Sequence, residues 1–297
     1  MSAFMRYAGL IAVVGLIGLA GCGTKTAGSP GAAQPPPPVT TAPSTTSPAP
    51  PATSPAPSTT APKSTITSPA APLWSPPGSY LTDIRTGQYS GYDRVAFQFS
   101  GKLPAYTVER VKAVYRDPKG DQVPMAGQSY LRVVFRGTST FSLHPPKDAY
   151  TGPGVLTPYY PELLTVAAAG DFEGVLSFGA GLAAQGSYHV FTLSNPSRLV
   201  VDVSHVALGN FPGIWNITSW PSYWATQYSW LNGHQPWLSS PALVVEAWAR
   251  SHDGGAPIIR QVNANTFKVT EPSGKTVTVT GIRPVSVPGP WVITHTG

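Results

Sequence analysis

The chain is short of cysteine and of charge. Its 297 residues include one cysteine, and Asp, Glu, Lys and Arg together make up 11% of them. A single cysteine excludes an intramolecular disulfide framework. Acidic residues are missing before residue 80, and all 13 lie between Tyr80 and Gly297 beside 16 of the 19 basic ones. The overall net charge of +6 therefore overstates the basic character of the foldable part, and nucleic acid is not an expected partner. Catalytic signatures are also lacking. There is no Gly-x-Ser-x-Gly elbow, no His-Glu-x-x-His and no Ser-x-x-Lys. The six histidines are scattered without paired ligand spacing, so no metal or other cofactor is expected. Gly274-Lys275-Thr276 echoes the tail of a phosphate-binding loop, but the position five before Gly274 is Val269, and a nucleotide is excluded.

What is present divides the chain into four parts. Residues 1–22 carry one basic residue, Arg6, then an uncharged run from Tyr7 to Ala20 that ends in Leu19-Ala20-Gly21-Cys22. The run is short for a membrane span and reads as a secretory signal peptide. Leu19 to Cys22 match the bacterial lipobox, in which small residues admit the signal peptidase and the cysteine thiol accepts a diacylglyceryl group. Cys22 is thus the expected lipidation site (palmitate among its acyl chains). More than one chain gives stable anchoring where one is marginal. The expected location is the extracytoplasmic face of the cell membrane.

Residues 23–78 form a Pro/Ser/Thr/Ala tether, and residues 23–79 hold 16 of the 34 prolines with only Lys25 and Lys63 charged. Such a segment has too little apolar surface to offset its ordering entropy, so a disordered region is expected. At ~3.1 Å per residue in polyproline II its reach is at most ~175 Å. Ser and Thr among Pro also resemble O-glycosylated stalks.

Residues 79–206 alternate with period two. Val95, Phe97 and Phe99 share one strand face, as do Leu131, Val133 and Phe135, and Leu199, Val201 and Val203. Breakers separate the runs at Asp117-Pro118-Lys119-Gly120-Asp121, Gly152-Pro153-Gly154 and Asn195-Pro196-Ser197. The expected fold is mainly β, an antiparallel sandwich or open barrel. Arg94 and Asp202 sit opposite the apolar faces of their strands, either as a cross-strand pair or as a ligand-contacting pair. Arg132 and Arg136 share an outward face that suits an acidic polymer. Asp171 and Glu173 precede Gly174 at an expected loop-to-strand entry, with both carboxylates pointing the same way.

Four stretches carry a resemblance. Asp83-Ile84-Arg85, Gly91-Tyr92-Asp93-Arg94-Val95, Asp171-Phe172-Glu173-Gly174 and Pro196-Ser197-Arg198-Leu199-Val200-Val201-Asp202-Val203 resemble the AMIN-like domain of actinobacterial, mycobacterial-type lipoproteins. That domain is similar to the AMIN module of cell-wall amidases and secretins, a small β-sandwich that localises its carrier to periplasm or wall. Before Gly91 the chain has Gln88-Tyr89-Ser90 where the family pattern leads one to expect His. The resemblance implies cell-envelope association and peptidoglycan binding; the candidate binding residues are Tyr92, Asp93, Arg94, Asp171, Glu173 and Asp202 from these motifs, together with Arg132 and Arg136 from their outward strand face.

In residues 207–297, six of the chain's eight tryptophans fall between Trp215 and Trp248. Trp220, Trp224, Tyr228 and Leu231 have helical spacing, with Gly233 placed as the residue after the helix. A second helix begins at Ser240-Pro241 and ends by Gly254-Gly255, with Val244/Trp248 and Leu243/Ala247 as apolar pairs. Strands follow around Phe267–Thr270, Lys275–Thr280 and Trp291–Thr294. This predicts a small α+β unit of two helices and a β-meander, its tryptophans serving as core or as a glycan platform. The expected function is a lipid-anchored extracytoplasmic binding or scaffold protein that contacts cell-wall glycan or an envelope protein through the region 79–206. An enzyme processing envelope polymers, with its site assembled from distant residues, is the alternative.

Overall fold

A computed structural model describes residues 66–67, 78–143, 145–253 and 256–297. The lipobox, Cys22, nearly all of the tether and Gly254-Gly255 lie outside them. In chain order the first strands are β1 (Ile66–Thr67), β2 (Leu81–Tyr89), β3 (Tyr92–Phe99), β4 (Ala105–Val111), β5 (Ser129–Arg136) and β6 (Phe141–Leu143). There follow β7 (Pro146–Asp148), β8 (Val155–Leu156), β9 (Leu163–Phe172), β10 (Val175–Leu182), β11 (Tyr188–Leu193) and β12 (Ser197–Ser204). The period-two runs all become strands: Val95, Phe97, Phe99, Leu131, Val133, Phe135, Leu199, Val201 and Val203 are each buried.

These strands make two antiparallel sheets. One has the order β1-β4-β5-β10-β9-β8 and the other β11-β12-β3-β2, with a small β6-β7 ribbon beside them. The apolar faces of the two sheets meet in one core. Phe97 packs against Phe135 at 5.3 Å and Phe178 at 5.1 Å between ring centroids, and Phe99 against Phe135 at 4.9 Å. This is the sandwich expected from the alternation.

The outer face of β5 is covered too. The segment after β4 folds back through a Tyr115–Gln122 bridge and lays Val114, Val123 and Met125 on Tyr130, Ala167 and Ala169. Asp171 and Glu173 belong to a tight hairpin rather than a loop-to-strand entry. Glu173 (φ +49°) and Gly174 (φ +73°) are the two residues that turn β9 into β10.

The C-terminal region contains α1 (Trp220–Leu231), a 3-10 turn at Pro236–Ser239, α2 (Pro241–Asp253) and the meander β13 (Ile258–Gln261), β14 (Thr266–Thr270), β15 (Thr276–Ile282) and β16 (Val292–Thr296). Strand β13 was not apparent from the alternation. Ser219 and Ser222 cap the start of α1 reciprocally, and Gly233 follows its end with φ +86°. On α2, Val244, Val245, Trp248 and Ala249 enter the core with Phe267, Val269, Val279 and Ile293, whereas Leu243 is 45% exposed. Leu243/Ala247 is thus not the packed pair its spacing predicts, because the buried stripe of α2 is rotated toward Val245 and Ala249.

A third core joins this unit to the sandwich. Ala126, Leu164 and Ala183 of the sandwich pack with Ile217, Tyr223, Trp224, Val285 and Val292. Gln227 of α1 is fully buried within the junction. Its Oε1 accepts the Gly127 backbone N–H at 2.9 Å and its Nε2 donates to the Pro288 carbonyl at 3.0 Å.

Candidate functional site

The eight sequence-derived candidates fall into separate places. Tyr92, Arg94 and Asp202 come together on the outer face of the four-stranded sheet. The antiparallel register sets Asp202 opposite Arg94 on one side and Gly87 opposite it on the other. Arg94 Nε donates to Asp202 Oδ1 at 2.6 Å and Nη2 to Oδ2 at 2.8 Å, a bidentate pair. The Arg94 and Asp202 side chains are 25% and 12% exposed. The hydrogen bonds to Asp202 raise the Arg94 pKa above its ordinary value against the opposing effect of burial, and the guanidinium stays charged.

Three aromatic rings surround that guanidinium. Its central carbon lies 5.0 Å from the Tyr89 ring centroid, 5.4 Å from Tyr92 and 5.2 Å from Phe191. Tyr89 and Tyr92 stack on each other at 4.9 Å and 8°, and His189 stacks on Phe191 at 5.4 Å. Gly91, at φ +85°, makes the tight turn that sets Tyr89 opposite Tyr92. A Cβ on Gly87 would lie 3.1 Å from the Tyr89 ring, so a side chain there would push that ring away from Arg94. The result is a flat, partly exposed patch of rings around one cation, which suits stacking and hydrogen bonding to a polar ligand.

Asp93 faces the other way. It is fully buried, as its parity with Val95 and Phe97 demands, and accepts the Glu162 N–H at 2.7 Å and the Leu163 N–H at 2.9 Å on Oδ2. His205 Nε2 lies 2.9 Å from Oδ1. Asp93 therefore ties the two sheets together and is out of a ligand's reach. Glu162, also fully buried, accepts the Ala184 N–H at 3.1 Å. Burial raises its pKa above the ordinary carboxylate value, while the Ala184, Gly186 and Val206 amides and the Arg110 guanidinium pull it partway back.

Arg132 and Arg136 share a face of β5, as expected, but that face is not a free basic surface. Arg132 Nη2 donates to Asp117 Oδ2 at 3.2 Å beneath the covering segment, and only Arg136 is exposed. The expected outward basic pair is thus reduced to one arginine, because the Tyr115–Gln122 hairpin folds over the other. Asp171 is engaged by the chain itself: its Oδ2 accepts from Thr140 N, Thr140 Oγ1 and Ser139 Oγ at 2.8, 2.5 and 3.0 Å. Glu173 sits in the hairpin turn, so the two carboxylates do not form an acid pair. The turn acids Asp117 and Asp121 are paired with Arg132 and Arg116, and no cluster of metal-ligating side chains occurs among the described residues.

Sequence reasoning missed Tyr89, His189 and Phe191. The signal was available: Ser90-Gly91 between two tyrosines is a hairpin turn, and His189 and Phe191 alternate in Tyr188-His189-Val190-Phe191. Glu162 had no such signal.

A search of curated proteins and a search of solved structures each found no match. The family model of the AMIN-like domain matches residues 79–205, a span that ends where the sandwich ends. Residues 79–205 are therefore an AMIN-like domain, which suggests a peptidoglycan-related binding or scaffold role.

Proposed function

We propose that this protein is a lipid-anchored extracytoplasmic scaffold that contacts cell-wall glycan through the outer face of its β11-β12-β3-β2 sheet. The observation that carries the reading is the partly exposed ring cluster of Tyr89, Tyr92 and Phe191 around Arg94. Sugar rings offer apolar C–H faces to aromatic faces and hydroxyls to the guanidinium, and this patch holds aromatic rings and a guanidinium side by side. Asp202 spends two of the five guanidinium N–H bonds, so donors remain for a ligand.

The anchor part of the reading rests on Leu19-Ala20-Gly21-Cys22 and on the proline-rich stretch behind it, long enough to carry the domain away from the headgroups. No described helix is long and apolar enough to cross a membrane. Two measurements test the proposal. The Cys22→Ser chain should leave the membrane pellet or persist as unprocessed precursor, and normal membrane retention of a mature-length Cys22→Ser protein would reject lipidation. Purified Cys22→Ser protein should sediment with purified peptidoglycan, and Tyr89→Ala/Tyr92→Ala should weaken that while leaving the melting curve nearly unchanged. Undiminished sedimentation of the double variant would refute the sheet face as the contact.

A further inference from the structure

A concave surface lies at the end of the sandwich, where the loop before β9 and the segment after β12 meet the start of α1. It is a groove of about 380 Å3, within the ~300–1,000 Å3 typical of small-ligand sites. Its floor and walls are aromatic: Tyr159, Tyr160, Trp220 and Trp224, with Gln88 at the rim. Trp220 and Trp224 stack at 5.5 Å and 21°, and Trp220 Nε1 donates to the Gly209 carbonyl at 3.0 Å. The buried indole thus backs the half-buried one, and the backbone bond fixes its orientation.

Two observations point beyond packing. No Asp, Glu, Lys, Arg or His lines the groove, so it has nothing to neutralise an ionic ligand. Polar groups are nonetheless present. The Gln88 amide and the Tyr160 hydroxyl make no side-chain hydrogen bond within the described residues. Tyr159 occupies the left-handed region at φ +48°, a conformation that a bulky residue rarely adopts. Burial raises the pKa of its phenol, which stays uncharged.

We propose that this groove binds a neutral saccharide, at a site separate from the Arg94 face. The apolar face of a sugar ring stacks on Trp220, and its hydroxyls meet Gln88 and Tyr160. This assignment gives the C-terminal unit a part in recognition, because Trp220 and Trp224 belong to α1 while the tyrosines and Gln88 belong to the AMIN-like domain. It stands apart from the sheet-face reading, since either surface can fail without the other.

The test uses the full chain carrying Cys22→Ser. Tetrasaccharides of N-acetylglucosamine, glucose and mannose are titrated while tryptophan fluorescence is followed, at low and at high salt. Saturable binding of at least one is expected, with a dissociation constant that salt does not change, since no charge takes part. Gln88→Arg at the exposed rim and Trp220→Ala should each weaken it about tenfold, whereas Trp220→Phe retains a ring and most of the affinity. Tyr89→Ala/Tyr92→Ala should leave it untouched. Gln88→Arg keeps the test decisive if Trp220→Ala fails to fold, because Gln88 makes no core contact. The proposal is overturned if none of the three binds, if binding falls with salt, or if Gln88→Arg has no effect. It is equally overturned if a synthetic Pro35–Pro57 peptide, the other chemistry that suits an uncharged aromatic groove, displaces the sugar and binds more tightly.

Discussion

Asp93→Ala tests the division between structural and ligand-facing residues most sharply. The wild-type carboxylate accepts two buried backbone N–H groups, from Glu162 and Leu163, at 2.7 and 2.9 Å. Removing it leaves both amides without an acceptor in a place water does not reach. A buried donor stranded in this way costs about 1–3 kcal/mol, so the pair costs about 2–6 kcal/mol. The lost contact to His205 adds little, since that side chain is 24% exposed and can turn to water. A loss near 4 kcal/mol in a folded region of this size lowers the melting temperature by roughly 8–16 °C. Asp93→Asn keeps a carbonyl oxygen for the two amides, with its NH2 turned toward His205, and should cost about 1 kcal/mol. Asp171→Ala is the control: it also removes an acceptor of three hydrogen bonds, but at an exposed position where water substitutes, so about 0.5–1.5 kcal/mol is expected. Urea unfolding followed by circular dichroism measures all three. If Asp93→Ala costs less than about 1 kcal/mol, or no more than Asp171→Ala, the inter-sheet clamp is refuted.

Other outcomes follow from the same structure. Arg94→Ala and Asp202→Ala should show a coupling of about 1–2 kcal/mol in a double-mutant cycle, above the exposed-pair range, because the bidentate pair is largely shielded from water. Strictly additive effects would count against it. Glu162 has a folded-state pKa raised by burial above its unfolded value, so the native state holds its proton more tightly. Its contribution is fully present below the unfolded pKa and is lost as pH rises through the folded one. Glu162→Gln, which mimics the protonated form, should therefore flatten the stability–pH profile across the range just above the ordinary carboxylate value; an unchanged slope there would reject the assignment. Gln227→Ala strands the buried Gly127 N–H and should cost about 1–3 kcal/mol, loosening the C-terminal unit from the sandwich, with raised hydrogen exchange at Gly127 as the readout.

Of the site, sequence reasoning reached the centre but not the ring around it. Arg94 and Asp202 were legible because each lies opposite three apolar residues of its own strand, and a charge on that face needs a partner or a ligand. Asp93 was legible by the same rule. Its parity with Val95, Phe97 and Phe99 puts it inside, and grouping it with Tyr92 and Arg94 as one surface motif ignored that parity. The covering of Arg132 was not legible. It depends on the segment 112–125 returning over β5, and nothing local to Arg132 records that.

Local physics determined a good deal. Alternation with period two marks β3, β5 and β12 because side chains on a strand point to opposite faces in turn. Pro241 after Ser240 and Gly233 after Leu231 mark helix ends because one residue lacks an amide donor and the other tolerates positive φ. The concentration of proline and the lack of charge before residue 80 mark a stretch with too little apolar surface to form a core. The tertiary structure decided everything that depends on neighbours distant in the chain. Phe191 and Asp202 reach Arg94 only because β12 pairs with both β3 and β11, in a register chosen by the whole apolar face rather than by any one residue. Trp220 and Trp224 became part groove and part junction only because Leu164 and Ala183, from the other unit, lie against the same helix. A strand's own sequence specifies which residues share a face, but the identity of the strand beside it comes from burying many side chains at once, and that is a property of the folded chain.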